Sequence, residues 1–286
     1  MRWLILGGAG QLGRDLQDVL SDQNPTALDL PDIDITDQES IAAAFDAHTP
    51  DVVVNAAAYT AVDAAEDDEQ AATLVNGTGP GLLAAACASR PAVRLVQLST
   101  DYVFAGDATV PYPEAASPDP RSAYGRSKLL GEQLVRSELP DRSFIVRTAW
   151  LYGQHGVNFV KTMLRLESER DTVAVVDDQI GQPTWSHDLA RQIRMLIESG
   201  APAGIYHGTN SGETSWFRFT REIFRLAGAD PERVRPTTTD SFPRPAPRPA
   251  FSVLGHDAWT QVGLPEMRTW DEALSEALPR LIQGSG

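Results

Sequence analysis

Tyr124 and Lys128 stand four residues apart in Tyr124-Gly125-Arg126-Ser127-Lys128. They fall at the start of a predicted helix, so the phenol and the ammonium share one face. A free phenol, with a pKa of about 10, is a poor acid at neutral pH. A lysine cation beside it is expected to stabilise the phenolate and lower that value. Such a pair can give a proton to an alkoxide as a carbonyl is reduced. Six tyrosines and two lysines produce about 0.04 matches of this spacing by chance; the bland alternative is an exposed helix pair. Upstream, Leu98-Ser99-Thr100-Asp101-Tyr102-Val103-Phe104 carries adjacent hydroxyls off the end of a predicted strand, where open α/β sheets place ligand-contacting groups. Thr100 can hydrogen-bond a carbonyl oxygen and polarise it, or it can simply cap the strand end.

A second group of residues suits a nucleotide. Gly7, Gly10 and Gly13 follow a predicted strand and open a predicted helix. Glycines there permit a tight turn and close approach of a pyrophosphate, which the free amides of the helix start can bind. Asp29 lies about 20 residues beyond the glycine turn, where an acid can bind the adenine ribose hydroxyls. It also belongs to an acidic cluster with Asp32, Asp34 and Asp37, so a solvated turn is the competing reading. Glycine turn, Thr100 and the Tyr124/Lys128 pair, in that order, make a dehydrogenase constellation using NADH or NADPH. With no arginine after Asp29, NADH is the easier fit.

The elements that must position these residues alternate in the first half of the chain. Trp3–Leu6, Ala27-Leu28, Val52–Val54, Val93–Leu98 and Phe144–Arg147 read as strands. Helices read at 11–20, from Thr36-Asp37-Gln38-Glu39, over a long stretch to Ser89, and near 122–137. The second of these opens on a Thr/Glu capping box. This is the pattern of βαβ units in a parallel sheet. The all-β-branched Val52–Val54 suits a strand buried on both faces. Beyond Trp150 the alternation loosens. Strands are expected at Thr172–Val176 and Gly204–His207, and a helix near 216–227 with Trp216, Phe219, Ile223 and Ala227 on one stripe behind a Ser215 cap. Five prolines and two arginines between Pro236 and Pro249 predict an extended loop. The expected architecture is α/β: a Rossmann-type doubly wound parallel sheet over residues 1–150, to which the chain later returns, and a smaller mixed α/β lobe over residues 151–286 that binds substrate.

Composition sets the outer limits. The chain has 286 residues and a net charge of −15, a poor surface for nucleic acid or anionic lipid. No run of apolar residues approaches a membrane span, the N-terminus lacks a signal-peptide pattern, and the single Cys87 reads as a buried thiol. A cytoplasmic, soluble protein is expected. Lys128 and Lys161 are the only lysines among 24 basic residues.

These motifs resemble the extended short-chain dehydrogenase/reductases and, within them, the dTDP-4-dehydrorhamnose reductases. The resemblance rests on Gly7–Gly13, Val54–Asp63, Ser99–Phe104, Tyr124–Lys128, Arg147–Tyr152, Asn158-Phe159 through Thr162-Met163-Leu164, Asp178–Thr184 and Phe242-Pro243 through Arg248-Pro249. It implies hydride transfer from NADH or NADPH to C4 of dTDP-4-dehydro-β-L-rhamnose, with Thr100, Tyr124 and Lys128 catalytic and Tyr124 the proton donor. It implies cofactor contacts at Gly7, Gly10, Gln11, Leu12, Gly13, Asp29, Asp34, Ile35, Ala58, Tyr59, Thr60 and Leu98, together with Tyr124 and Lys128. The dTDP-sugar is implied to lie over Thr100 and Asp101 and near Trp150, with Arg248 at its pyrophosphate. Trp150 reads equally well as core, and Arg248 as a loop decoration.

Some members of that family are linked by magnesium at a dimer contact built from carboxylates. Asp15 matches one such position, but His187 stands where another acid is expected, so a metal role is doubtful, and a monomer or homodimer fits equally. The 4,6-dehydratases carry Thr-Asp-Glu where this chain has Thr100-Asp101-Tyr102, so the acid for elimination is missing. An epimerase, another ketoreductase or a non-catalytic regulatory subunit are the remaining readings.

Overall fold

The computed structural model describes residues 1–283, so the last three residues of the expected second lobe lie outside the described residues. The elements run β1 (Trp3–Leu6), α1 (Gln11–Val19), β2 (Thr26–Leu28), α2 (Gln38–His48), β3 (Val52–Asn55), α3 (Ala64–Asp67), α4 (Glu69–Thr73), α5 (Gly79–Ala88), β4 (Arg94–Thr100), α6 (Ala123–Glu138) and β5 (Ser143–Thr148). Beyond them come β6 (Leu151–Tyr152), α7 (Phe159–Glu169), β7 (Val173–Val176), β8 (Ile180–Gly181), β9 (Thr184–Trp185), α8 (Ser186–Glu198), β10 (Gly204–His207), β11 (Thr214–Ser215), α9 (Trp216–Leu226), β12 (Val234–Thr237), α10 (Asp257–Gln261) and α11 (Trp270–Gln283).

Six of these strands form one parallel sheet in the order β2-β1-β3-β4-β5-β10. Successive side chains of a strand point to opposite faces, and both faces are covered. Trp3, Ile5, Val52, Val54, Phe144 and Val146 pack with α1 and α8 through Leu12, Leu16, Leu189 and Ile193. Leu4, Leu6, Val53, Leu95 and Ile145 pack with α2, α5 and α6 through Phe45, Leu83 and Val135. The strand order reverses at β1, which leaves a crevice at the carboxyl ends of β1 and β3, the place where such sheets bind ligands.

Past Tyr152 the chain builds a second core around Tyr152, Val173, Val175, Phe219, Ile223, Val234 and Leu278. Three two-stranded sheets border it. Residues 186–207 return to the main sheet, as β10 pairs with β5 and α8 packs on α1. The helix near 216–227 forms behind Ser215, whose hydroxyl accepts from the Arg218 amide at 3.1 Å. Its buried stripe is Phe219, Thr220, Ile223 and Phe224; Ala227 is exposed, because the helix has ended by then. The second helix is also capped differently from the expected box. The Asp37 carboxylate accepts from the Glu39 amide at 2.9 Å, while Thr36 donates to Asp34 at 2.7 Å.

Candidate active site

The glycine turn begins at Gly7, whose φ of +76° is a left-handed conformation that glycine adopts without strain. A Cβ at Gly7 would lie 2.6 Å from the Ala57 amide nitrogen, and one at Gly13 only 2.1 Å from the Gly7 carbonyl oxygen. Among the described residues no side chain caps α1, so its first amides are free for an anion, with the positive end of the helix dipole behind them. The Asp29 carboxylate accepts the Ala9 amide at 3.0 Å and so ties the end of β2 to the turn.

A cleft of about 690 Å³ runs from this turn to Trp150. Gly7, Gly10, Gln11, Leu12, Gly13, Asp29, Asp34, Ile35, Ala58, Thr60, Leu98, Thr100, Asp101, Tyr124, Lys128 and Trp150 all line it. The turn's steric fit, the free helix amides and this continuous groove suit a dinucleotide. Two expected residues are placed elsewhere. Tyr59 packs against the cluster of Ala65, Ala72 and Ala123. Arg248 pairs with Asp63 at 2.8 Å beside the cleft, which it does not line.

At the sheet end of the cleft, α6 starts on Ser122, whose hydroxyl accepts the Gly125 amide at 3.1 Å. Tyr124 and Lys128 then face the end of β4. Lys128 is buried and its Nζ donates to the Leu98 carbonyl at 2.6 Å; burial lowers its pKa to about 8, against a raising influence of Glu132. The expected fall in the Tyr124 pKa is reversed. Burial, reinforced by Asp101, pushes the phenol up to about 12, and a hydrogen bond with Thr100 only partly offsets this. The lysine charge is directed at a backbone carbonyl, and the phenol is held neutral, which is the form that donates a proton.

Thr100 donates to Asp101 Oδ1 at 2.9 Å. The other carboxylate oxygen, Oδ2, is buried, and burial pushes this acid up to about 6, a rise that Ser252 and Thr100 only partly offset. Tyr102 stacks edge-on against Tyr124, ring centroids 5.6 Å apart. Trp150 closes the far wall. Its φ of +46° is unusual for a bulky residue, and its ring stacks on Trp216 at 3.5 Å and 10°, with Gly181 leaving room beside it.

Residues not singled out from the sequence support this wall. Asn76, in a π-turn at Leu74–Thr78, donates to the Tyr59 carbonyl at 2.9 Å and to Ser127 at 3.1 Å, and accepts the Tyr59 amide at 2.9 Å. Glu132 and Arg147 form a buried ion pair at 2.7 Å. The local signal available for Glu132 was its position four residues after Lys128.

Asp15 and His187 do line one small cavity, with Asp18, His155 and Arg280. The Asp15 carboxylate takes the Ser186 hydroxyl, burial raises its pKa, and Arg280 brings a positive charge. Among the described residues no group of three or more His, Cys, Asp or Glu is placed to hold a metal ion. The residues do not fit a carboxylate-bound magnesium.

Residues 1–282 match the family model described as the RmlD substrate binding domain. The chain belongs to that family. It is 52% identical to the dTDP-4-keto-6-deoxy-D-glucose reductase of Streptomyces niveus, over 98% of this chain and 97% of the relative. It is 50% identical to the dTDP-4-dehydrorhamnose reductase of Streptomyces griseus, over 100% and 95% of the two chains. The solved structure of the Bacillus anthracis dTDP-4-dehydrorhamnose reductase in complex with NADP superposes with a TM-score of 0.92 at 39% identity, covering 97% of this chain and 98% of that one. RmlD-family membership is thus accompanied by a Rossmann-type fold shared almost end to end. No helix of the described residues is long and apolar enough to cross a membrane.

Proposed function

We propose that this chain reduces the C4 keto group of dTDP-4-dehydro-β-L-rhamnose to give dTDP-L-rhamnose, using NADPH or NADH. The observation that carries this reading is the meeting of Thr100, Tyr124 and Lys128 at one end of a cleft whose other end is a glycine turn. A reduced nicotinamide, when bound, supplies the hydride. The rest is done by the chain. Gly7, Gly10, Gly13 and the start of α1 bind the pyrophosphate, and Asp29 holds the turn and faces the adenine ribose. Asp34, Ile35, Ala58, Thr60 and Leu98 shape the groove, and Tyr59 packs behind it. Thr100 and Asp101 orient the C4 oxygen, and Tyr124, kept protonated by burial, donates the proton to it. Lys128, anchored on the Leu98 carbonyl, presents positive charge to ribose and phenol. Trp150 packs against the sugar, and Arg248, preset by Asp63, meets the dTDP pyrophosphate. Residues 151–283 supply most of the sugar-nucleotide side, and the chain works in the cytoplasm.

The Streptomyces niveus relative, named for a different 4-ketosugar, favours a second reading in which the same chemistry acts on dTDP-4-keto-6-deoxy-D-glucose. Loss of reduced-nicotinamide absorbance is measured with each ketosugar and each cofactor. Turnover with dTDP-4-dehydrorhamnose several-fold above that with the other sugar is expected. Preference for the other sugar selects the second reading, and no oxidation with either overturns both.

A further inference from the structure

Directly behind Lys128 lies a polar network inside the fold that meets the cleft through Ser99. Glu132 sits one helical turn further along α6, so it shares the Lys128 face. One of its oxygens accepts Ser99 Oγ from β4 at 2.5 Å and Arg147 Nε from β5 at 2.9 Å; the other accepts Arg147 Nη2 at 2.7 Å. Arg147 also lies over the Phe104 ring at 4.9 Å. Glu132 and Arg147 are 3% and 1% exposed, and burying an ion pair in this way is rarely a gain over apolar packing of the same volume. The pair therefore calls for a role other than stability, and its three anchors supply one. They pin α6, which carries Tyr124 and Lys128, to the two strands that end at Thr100 and at Thr148, just before Trp150.

We infer that Glu132 is a positioning residue for Lys128: its carboxylate, clamped between Ser99 and Arg147, keeps the buried ammonium charged and aimed at the end of β4. This rests on the reductase reading for its importance to turnover, although the effect on Lys128 itself does not. Other charges near α6 are committed elsewhere. Glu66 accepts the Ala123 amide at 2.8 Å, Glu69 pairs with Arg126 at 2.7 Å, and Asp101 holds Thr100. Arg147 lies behind Glu132, so removing the carboxylate both deletes an attraction and uncovers a like charge. Both changes make the Lys128 ammonium easier to deprotonate.

The chain's two lysines make a direct test possible. Protein labelled with ¹³Cε-lysine gives two signals, and Lys161→Arg identifies the remaining one as Lys128. In Glu132→Gln, the Lys128 titration should move down by about one pH unit. The ratio of kcat at pH 9 to kcat at pH 7 should fall about fivefold with it. In Glu132→Gln/Arg147→Met, where no buried charge is left unpaired, thermal stability should return, while the Lys128 titration regains only the part due to Arg147 and stays below that of the wild type. A merely structural pair predicts the opposite, with stability and titration both restored. An unchanged Lys128 titration in Glu132→Gln overturns the inference, and where the single variant does not fold the double variant is read in its place. Because the titration needs no sugar substrate, it stands even if the ketosugar assay fails.

Discussion

Single residues in the cleft are held in protonation states that burial sets. Tyr124 stays a neutral phenol, so Tyr124→Phe should lower turnover by about two to four orders of magnitude while leaving nucleotide affinity and melting temperature near wild type. Near-wild-type turnover in steady-state assays would remove the phenol from the mechanism. Asp101 makes a different demand. Its folded-state pKa of about 6 is raised above the ordinary carboxylate value, so the ionised group costs stability once pH rises through 6. Below the unfolded pKa both states are protonated and the cost vanishes. Asp101→Asn should therefore raise stability at pH 8 by up to about 3 kcal/mol and lower activity, with the gain gone by about pH 4. Chemical denaturation at the two pH values checks this. An equal gain at both would place its origin in packing. Tyr124, Lys128 and Thr100 were legible because their chemistry lies in side-chain type and spacing. Their protonation was less so: four-residue spacing suggested a lysine lowering the phenol, but spacing carries no information about desolvation, which with Asp101 raises it here.

At the scale of elements, α6 works because it can approach its neighbours closely. A Cβ on Gly131 would lie 2.2 Å from the Asn76 carbonyl oxygen in the π-turn. Helix propensity alone favours alanine there by about 1 kcal/mol. The clash is with backbone, which cannot rotate away, and overpacking of this kind costs about 1–3 kcal/mol. Gly131→Ala should therefore be destabilising, and should lower kcat more than a remote change of equal stability, since α6 carries both Tyr124 and Lys128. A melting temperature at or above wild type would show that the π-turn yields freely. The strands and α6 could be read because Val52–Val54 and the Ser122 start are strong local signals. The π-turn could not, since Leu74–Thr78 reads as ordinary helix until Asn76 is seen bridging Tyr59 and Ser127. Past Trp150, strands of two residues such as β6, β8, β9 and β11 are too short to show any period. The left-handed turn at Trp150 goes with stacking on Trp216, far along the chain.

For the whole molecule, the return of residues 186–207 to the sheet puts β10 beside β5 and covers α1 with α8, so the cofactor helix is held by residues far away in sequence. That long-range pairing has no local signature, whereas net charge is read from sequence directly. At −15 the molecule presents a repulsive field to dinucleotide and sugar diphosphate alike. The positive features are local: the start of α1 and the buried Lys128 in the cleft, and Arg248 beside it, already paired with Asp63. Asp29 and Asp34 line the same cleft. Long-range repulsion is screened first as salt rises, because the Debye length falls from about 30 Å at 0.01 M to about 10 Å at 0.1 M, while contacts of 3 Å are little affected. The association rate of NADPH should therefore increase between about 10 and 100 mM salt, and the dissociation rate should change less. Stopped-flow fluorescence of the bound nicotinamide separates the two. An association rate that falls with salt would mean that the helix start and Arg248 govern the approach of the anion from a distance, against the net charge of the chain.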